Sequence, residues 1–503
     1  MLEGIKSFLS KLFKPEEVCS LKEYELEDLQ RIVESKYFDE EYYLSQNPDV
    51  KSAGVDPAYH YYVYGWKEKR NPSRDFDTER ILTEYPEISK DLINPIIYIL
   101  DNNLQETIKH KKIEKKISAS ELINSYFGIS APLNAMPIDT VKSRINIVFN
   151  GFDKSCFFGG KATALILAIM FAQKYHYGLR IIAQKPDKEV FYDVLKLFNL
   201  EYKGELEFYS TEENSGYLEV GEKDHFICTM WSNADAVLNT SSISGKIFYI
   251  MQEVETFFYD HGDFHLRCFN TLTNNRLIPI VNTKLLYDYL VEHDYNNVKQ
   301  RGIYFEPAFL KKLYSPSEQS FIKKDKYKLF FYGRPTHQRN LFYFGLSIIN
   351  KAFLRGVLNK KEWSVYIAGD EEIPDFRFDS GVKVKKMGVM DWNEYSKLAS
   401  SIDLCYSTIY TPHPSYPPFD FACSGAIVVT NKFQNKHDLY QYSNNILSAE
   451  LDEEALINRL SDGVKLVKDI KTRKRNFEQA KIKTVWEDSF IEVLPFMKNN
   501  IEK

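Results

Sequence analysis

Residues 411–431 read TPHPSYPPFDFACSGAIVVTN. Pro412, Pro414, Pro417 and Pro418, with Tyr416 and Phe419, crowd in front of one carboxylate, Asp420. An ordinary loop has no need of so stiff a lead-in. Proline suits the first turn of a helix, where its missing N–H would be unpaired anyway. The spacing therefore predicts a short helix that starts near Pro417 and stops at Gly425, with Asp420 in its first turn. Before it lies an apolar run, LCYSTI, and after it another, AIVVTN. Strand, helix entrance and strand in this order mark a parallel α/β unit.

Working outward, the same rhythm extends in both directions. KLFFYG, SVYIAG, LCYSTI, AIVVTN and NILSA form one series of candidate strands. INIVF, LRIIAQ, HFICTMW, KIFYIMQ, IPIVN and IYFEP form an earlier one. Two successive series predict an α/β fold of two Rossmann-like domains, 130–315 and 325–480, facing a cleft at the carboxyl ends of their strands. The last stretch, 481–503, reads as a helix that packs back on the first of these domains. Ahead of them, FDEEYYLSQNPDV at 38–50 is echoed by FDTERILTEYPEI at 76–88. The echo predicts a helical repeat domain over 37–120, whose aromatics Tyr61, Tyr62, Tyr64 and Trp66 either bind a ligand or pack. Residues 1–36 form an amphipathic helix and a linker: Leu2, Ile5, Phe8, Leu9, Leu12 and Phe13 recur at helical spacing beside Lys6, Lys11 and Lys14. Residues 1–14 read either as a helix docked on its own core or as an in-plane contact with an anionic membrane surface.

Composition narrows the function classes. The chain of 503 residues has 44% hydrophobic and 27% charged residues, so it is globular, and its net charge of −5 gives no reason to expect a nucleic-acid partner. Six scattered cysteines without a C-x-x-C pair argue against structural zinc and for a reducing cytoplasm. Neither a membrane-spanning run nor a signal peptide is expected.

Three places carry candidate chemistry. FFYGRPTHQRN places Arg334 at the end of a strand and Arg339 at the start of a helix, and two guanidiniums there can clamp a diphosphate. Gly159-Gly160, at a strand-to-helix junction, offers backbone N–H groups to an anion or a sugar hydroxyl, or is a plain tight turn. It is not the dinucleotide fingerprint, so no such cofactor is expected. Asp420 is aimed at a ribose hydroxyl or is a capping carboxylate.

GRPTHQRN followed by PHPSYPPFDFACSGAIVVTN resembles the GT-B glycosyltransferases of family four, most closely the rhamnosyltransferases that build bacterial surface glycans. The FFGG loop, YIMQEVETFFYDHG and the Phe-Asp repeat are similar to segments of such enzymes. The resemblance implies metal-independent transfer of a sugar from a nucleotide sugar, dTDP-rhamnose, to a lipid-linked or oligosaccharide acceptor. No cofactor is implied beyond that donor. It implies a cytoplasmic protein, peripheral on the inner face of the membrane if residues 1–14 bind it. Arg334, Arg339, Ser415 and Tyr416 would hold the donor diphosphate and Asp420 the ribose. Gly159, Gly160, Gln252 and Glu255 would meet the acceptor or the sugar. The sequence departs from the family pattern of two glutamates eight positions apart, with Asp420 at the second place and Pro412 at the first. That leaves the catalytic residue unassigned, with His413 and Glu253 as candidates. A nucleotide-sugar epimerase of the same fold and a non-catalytic glycan-assembly scaffold are the alternatives. Two other motifs look like metal sites. Asp75 and Asp77 match an Asp-x-Asp but fall in the helical repeat, and His261 and His265 lack a third ligand.

Overall fold

A strand covered on both faces can tolerate few polar side chains, and the apolar runs behave accordingly. The structure is a computed structural model that describes residues 23–104, 118–154, 159–212 and 216–503. Residues 1–14, read above as a membrane or core helix, lie outside the described residues. The chain divides into two compact units at Ala119/Ser120.

In the first unit the 38-residue echo has a structural counterpart. Asp39 caps the helix Glu40–Gln46; Asn47, at φ −128° and ψ 75°, turns the chain into the helix Pro48–Ala53; Gly54 closes it in the left-handed region; Asp56 caps Pro57–His60. Thirty-eight residues later Asp77 caps Thr78–Glu84, Tyr85 turns at φ −127° and ψ 75° into Pro86–Asp91, Leu92 closes it, and Asn94 caps Pro95–Asp101. In both copies the second and third helices begin with proline, each after a residue that proline keeps out of the helical region. Tyr43, Tyr61, Trp66, Phe76, Ile81, Ile88 and Ile96 are buried together between the copies. Tyr61 and Trp66 are thus core residues, and Tyr64 is the exposed member of the aromatic set.

The second unit holds two large all-parallel sheets. The first contains β1 (Arg144–Val148), β2 (Gly178–Ala183), β3 (Leu206–Ser210), β4 (Asp224–Cys228), β5 (Ile247–Met251), β6 (Leu277–Asn282) and β7 (Ile303–Phe305), in the order β3-β2-β1-β4-β5-β6-β7. The second contains β8 (Tyr327–Tyr332), β9 (Trp363–Ala368), β10 (Val384–Lys386), β11 (Leu404–Ser407), β12 (Ile427–Asn431) and β13 (Ile446–Ala449), in the order β10-β9-β8-β11-β12-β13. Strand order reverses beside β1 in one sheet and beside β8 in the other, and crevices open at such points. The strands missed in the sequence, β3 and β10, are edge strands. Each is only partly covered and carries charged residues, so neither shows an apolar run. The C-terminal segment returns to the first sheet: the Phe490 ring lies 5.0 Å from that of Phe305, and the helix Val493–Glu502 packs on the helix Gly159–Tyr175.

Candidate active site

Loops leaving the carboxyl ends of both sheets surround one cavity of about 780 Å³, a size that suits a small organic ligand. From the first sheet come Asn150 after β1, the helix start at Gly159, Thr229 after β4, and Gln252 and Glu253 after β5. From the second come Arg334 after β8, Asp370 after β9, and His413 to Asp420 after β11.

On the wall formed by the second sheet, Arg334 follows β8 closely. Its stem passes over Gly369 (φ +124°), where a Cβ would stand 2.9 Å from Arg334 Cγ, so only glycine leaves the room. Arg339 sits in a one-turn 3₁₀ segment, Gln338–Asn340, just before the helix Phe342–Leu354 rather than in its first turn. His337 lies near both guanidiniums. Burial, followed by both positive charges, lowers its pKa to about 4, so at neutral pH the ring is uncharged and Nε2 accepts from Arg334 Nη2 at 2.8 Å. Arg334 Nε and Arg339 Nε are both buried with no acceptor among the described residues. A buried unpaired donor is costly, and two guanidinium donors on one cavity wall call for an anion.

The proline-rich lead-in ends in the helix Pro417–Cys423, as the spacing predicts. Its geometry revises three residue assignments. Tyr416 does not present its hydroxyl to a diphosphate. It spans to the first domain, where Asn282 Nδ2 donates to it at 2.8 Å and Thr163 Oγ1 lies 2.7 Å away. Asp420 is no cap, because its carboxyl faces the hydroxyls of Tyr395 (3.1 Å) and Tyr314. Burial outweighs those two hydrogen bonds and pushes its pKa up to about 8, so it carries a proton at neutral pH. His413 is not a base. Its Nδ1 accepts from Ser415 N at 3.0 Å, which leaves the ring proton on Nε2, and burial beside Lys436 and Arg339 lowers its pKa to about 3. Nε2 has no partner among the described residues; His413 therefore offers the cavity an N–H donor. Ser415 holds a left-handed φ of +67° to complete this turn, the kind of local strain that functional loops store.

The opposite wall is more committed than the sequence suggests. Gln252 Nε2 donates to Gly160 O and Thr229 Oγ1, both at 2.8 Å, so this amide holds the helix entrance instead of an acceptor. A Cβ at Gly160 would meet Gln252 Oε1 at 3.0 Å, so any larger residue would press on this amide. Glu255 is internal. One oxygen takes the Tyr249 hydroxyl and the other takes Trp231 N at 2.9 Å, at the start of the helix Trp231–Leu238; burial raises its pKa to about 7. Glu253 reaches the cavity. It accepts from the Thr411 hydroxyl and from Val254 N at 3.0 Å, and lies 3.6 Å from Arg339 Nε. Burial raises its pKa.

Sequence reasoning missed Lys436. It is fully buried, its Nζ has no hydrogen-bond partner among the described residues, and burial lowers its pKa to about 7 despite the nearby Glu253 charge. Nothing in NKFQNKHD distinguishes it from Lys432, which stays partly exposed and pairs with Glu450 at 2.9 Å. The metal-like motifs have other duties: Asp77 accepts from Arg80 N at 3.0 Å, and His261 and His265 stack at 4.6 Å. Among the described residues no three metal-ligating side chains cluster, and no helix is long and apolar enough to cross a membrane.

Comparison with known proteins agrees with this architecture. Residues 327–461 match the family model described as WsaF, C-terminal domain. An O-antigen biosynthesis protein, RfbC of Myxococcus xanthus, is 29% identical over 242 residues, which is 48% of this chain and 18% of that protein. The match thus spans less than a fifth of the relative. Among solved structures, Anabaena Alr3699/HepE in complex with UDP and glucose superposes with a TM-score of 0.51 at 12% identity, covering 71% of this chain and all of that one. Sucrose-phosphate synthase from Thermosynechococcus elongatus superposes with a TM-score of 0.50 at 11% identity, covering 72% and 100%. The fold of this chain is GT-B.

Proposed function

We propose that the protein is a glycosyltransferase that moves a sugar from a nucleoside diphosphate to a growing bacterial surface glycan. The observation that carries this reading is the pair of buried guanidinium Nε groups at the switch point of the second sheet, Arg334 and Arg339, that lack a hydrogen-bond acceptor among the described residues. The O-antigen relative supports the glycan setting, and the HepE complex, which holds UDP and glucose, supports a nucleoside diphosphate and a sugar as ligands. In the reaction the bond between the anomeric carbon and the diphosphate oxygen breaks, and its electron pair leaves with the nucleoside diphosphate. The acceptor hydroxyl oxygen forms the new bond, and its proton is lost to a base or to the departing phosphate. Arg334 and Arg339 offset the charge that develops on the leaving group. His413 Nε2–H donates to an oxygen of the donor. Glu253 is the carboxylate that faces Arg339 from the first sheet. No step requires a metal.

The finer assignment is a dTDP-rhamnose donor. It rests on the resemblance of 411–431 and on Asp420, whose carboxyl is already faced by two tyrosine hydroxyls. Such a group has room for one further contact, which suits a sugar with a 3′-hydroxyl and no 2′-hydroxyl. The test is product analysis of the purified protein with mixed nucleotide sugars and a glycan acceptor. Transfer supports the reading; interconversion of donors would make it an epimerase, and no change a scaffold. Arg334→Ala should weaken nucleoside diphosphate binding by roughly 10- to 150-fold, the worth of one charge-assisted hydrogen bond of about 1.5–3 kcal/mol. Unchanged binding, or activity lost to chelator and restored by manganese, would overturn it.

A further inference from the structure

Arg339 already has an anionic partner, and that partner comes from across the cleft. The segment at 253–258, after β5 of the first sheet, holds it from two sides. Glu253 Oε2 lies 3.6 Å from Arg339 Nε, and the Phe258 ring lies 4.4 Å from the guanidinium carbon. The Thr411 hydroxyl ties the same carboxylate to the second domain. At 3.6 Å the ion pair is Coulombic attraction without a hydrogen bond, which is why Arg339 Nε still has no acceptor among the described residues. The pairing is real in charge and incomplete in geometry.

A second cation acts on Glu253. Lys436 is fully buried in the same seam, its Nζ has no hydrogen-bond partner among the described residues, and burial lowers its pKa to about 7 against the pull of the Glu253 charge. Asn435, its neighbour, donates to Leu285 O of the first domain at 2.8 Å, so this loop belongs to the seam between the two sheets. One carboxylate thus faces a guanidinium at the cavity wall and shares the seam with a buried amine that titrates near neutral pH.

We propose that Glu253 is an internal competitor for the donor diphosphate: it occupies Arg339 in the free protein and transfers its pairing to Lys436 when the diphosphate arrives. The proposal rests on the donor role assigned above to Arg334 and Arg339. Its physical basis is that a buried carboxylate cannot be left without a counter-charge. A phosphate oxygen takes Arg339 with the hydrogen bond that Glu253 does not make, and Lys436 keeps the displaced carboxylate from standing alone. Removing the negative charge should therefore strengthen donor binding, an effect opposite to that of deleting an ordinary site residue.

The experiment is calorimetric titration of uridine and deoxythymidine diphosphates into the full chain and its variants. Glu253→Gln keeps the size and the acceptor for Thr411 and Val254, and should bind about threefold to tenfold more tightly than wild type. Lys436→Met should bind more weakly, since the displaced carboxylate then has no second cation. In an Arg339→Ala background, Glu253→Gln should bring no gain. Nucleotide binding by wild type with no gain in Glu253→Gln, or an equal gain without Arg339, overturns the exchange and leaves the donor site standing. Binding of neither nucleotide by wild type or Glu253→Gln removes the donor site and the exchange together.

Discussion

Asp420 illustrates how burial changes the meaning of a residue. Its folded pKa of about 8 lies far above the unfolded value, so the folded state keeps a proton that the unfolded chain gives up. Wild-type stability from this group therefore falls as pH rises from about 4 toward 8. An amide at this position does not titrate, so the melting temperature of Asp420→Asn minus that of wild type should grow more positive across that range. A constant difference would mean that the carboxyl is ionised in the fold. His413 has the opposite sign: its folded pKa of about 3 lies below the unfolded value, so its contribution is present above about pH 6.5 and lost as pH falls. Nitrogen NMR of the ring should report the Nε2–H tautomer from about pH 8 down to about pH 5. Protonation near pH 6.5 would return His413 to the list of candidate bases.

At the scale of elements, two contacts hold the first sheet and its cavity edge. Arg144 and Asp224 are register partners on β1 and β4, joined by two hydrogen bonds of 2.7 Å, and Asn146 Nδ2 and Gly221 N also reach the carboxylate. Both residues are buried. Asp224→Ala should cost about 3 kcal/mol in denaturant unfolding, because it removes two charge-assisted hydrogen bonds and leaves Arg144 with Glu207, 3.2 Å away, as its remaining carboxylate; a loss under about 1 kcal/mol would show that water reaches the pair. At the cavity edge, Gly160→Ala should cost about 1–3 kcal/mol by overpacking against Gln252. Trimming the neighbour with Gln252→Ala should recover part of that loss, whereas strictly additive losses would place the strain elsewhere.

For the molecule as a whole, the second unit depends on contacts that cross between its two sheets. Tyr416 bridges to Thr163 and Asn282, Tyr442 donates to Glu306 at 2.9 Å, and Asn435 reaches Leu285. Tyr416→Phe removes one such bridge, worth about 1 kcal/mol. Amide hydrogens at the start of the helix Gly159–Tyr175 should then exchange faster than in wild type, and equal protection would make the hydroxyl dispensable. Residues 1–14 are proposed to place the protein on an anionic membrane. Removing them should abolish co-sedimentation with anionic vesicles, and equal binding by both forms would leave this segment without a membrane role.

Periodic features could be read from the chain alone. The apolar runs named eleven of the thirteen strands in the two large sheets, because a parallel strand buried on both faces must be apolar throughout. The Phe-Asp echo anticipated the repeated caps and turns, and the prolines at 412–418 announced the helix that carries Asp420. All of these are local, so neighbouring residues suffice to specify them. What the chain could not declare is which side chain uses up another's hydrogen bonds. Tyr416 and Thr163 are 253 residues apart, and Glu253 and Thr411 are 158 apart. Tertiary packing brought these groups together and excluded water from them. It thereby turned Glu255 into a helix support, His413 into a donor, Asp420 into a neutral acid and Lys436 into a buried amine that titrates near neutral pH. A proton's place and a charge's partner depend on local dielectric and on contacts between distant parts of the chain, and both exist only in the folded molecule.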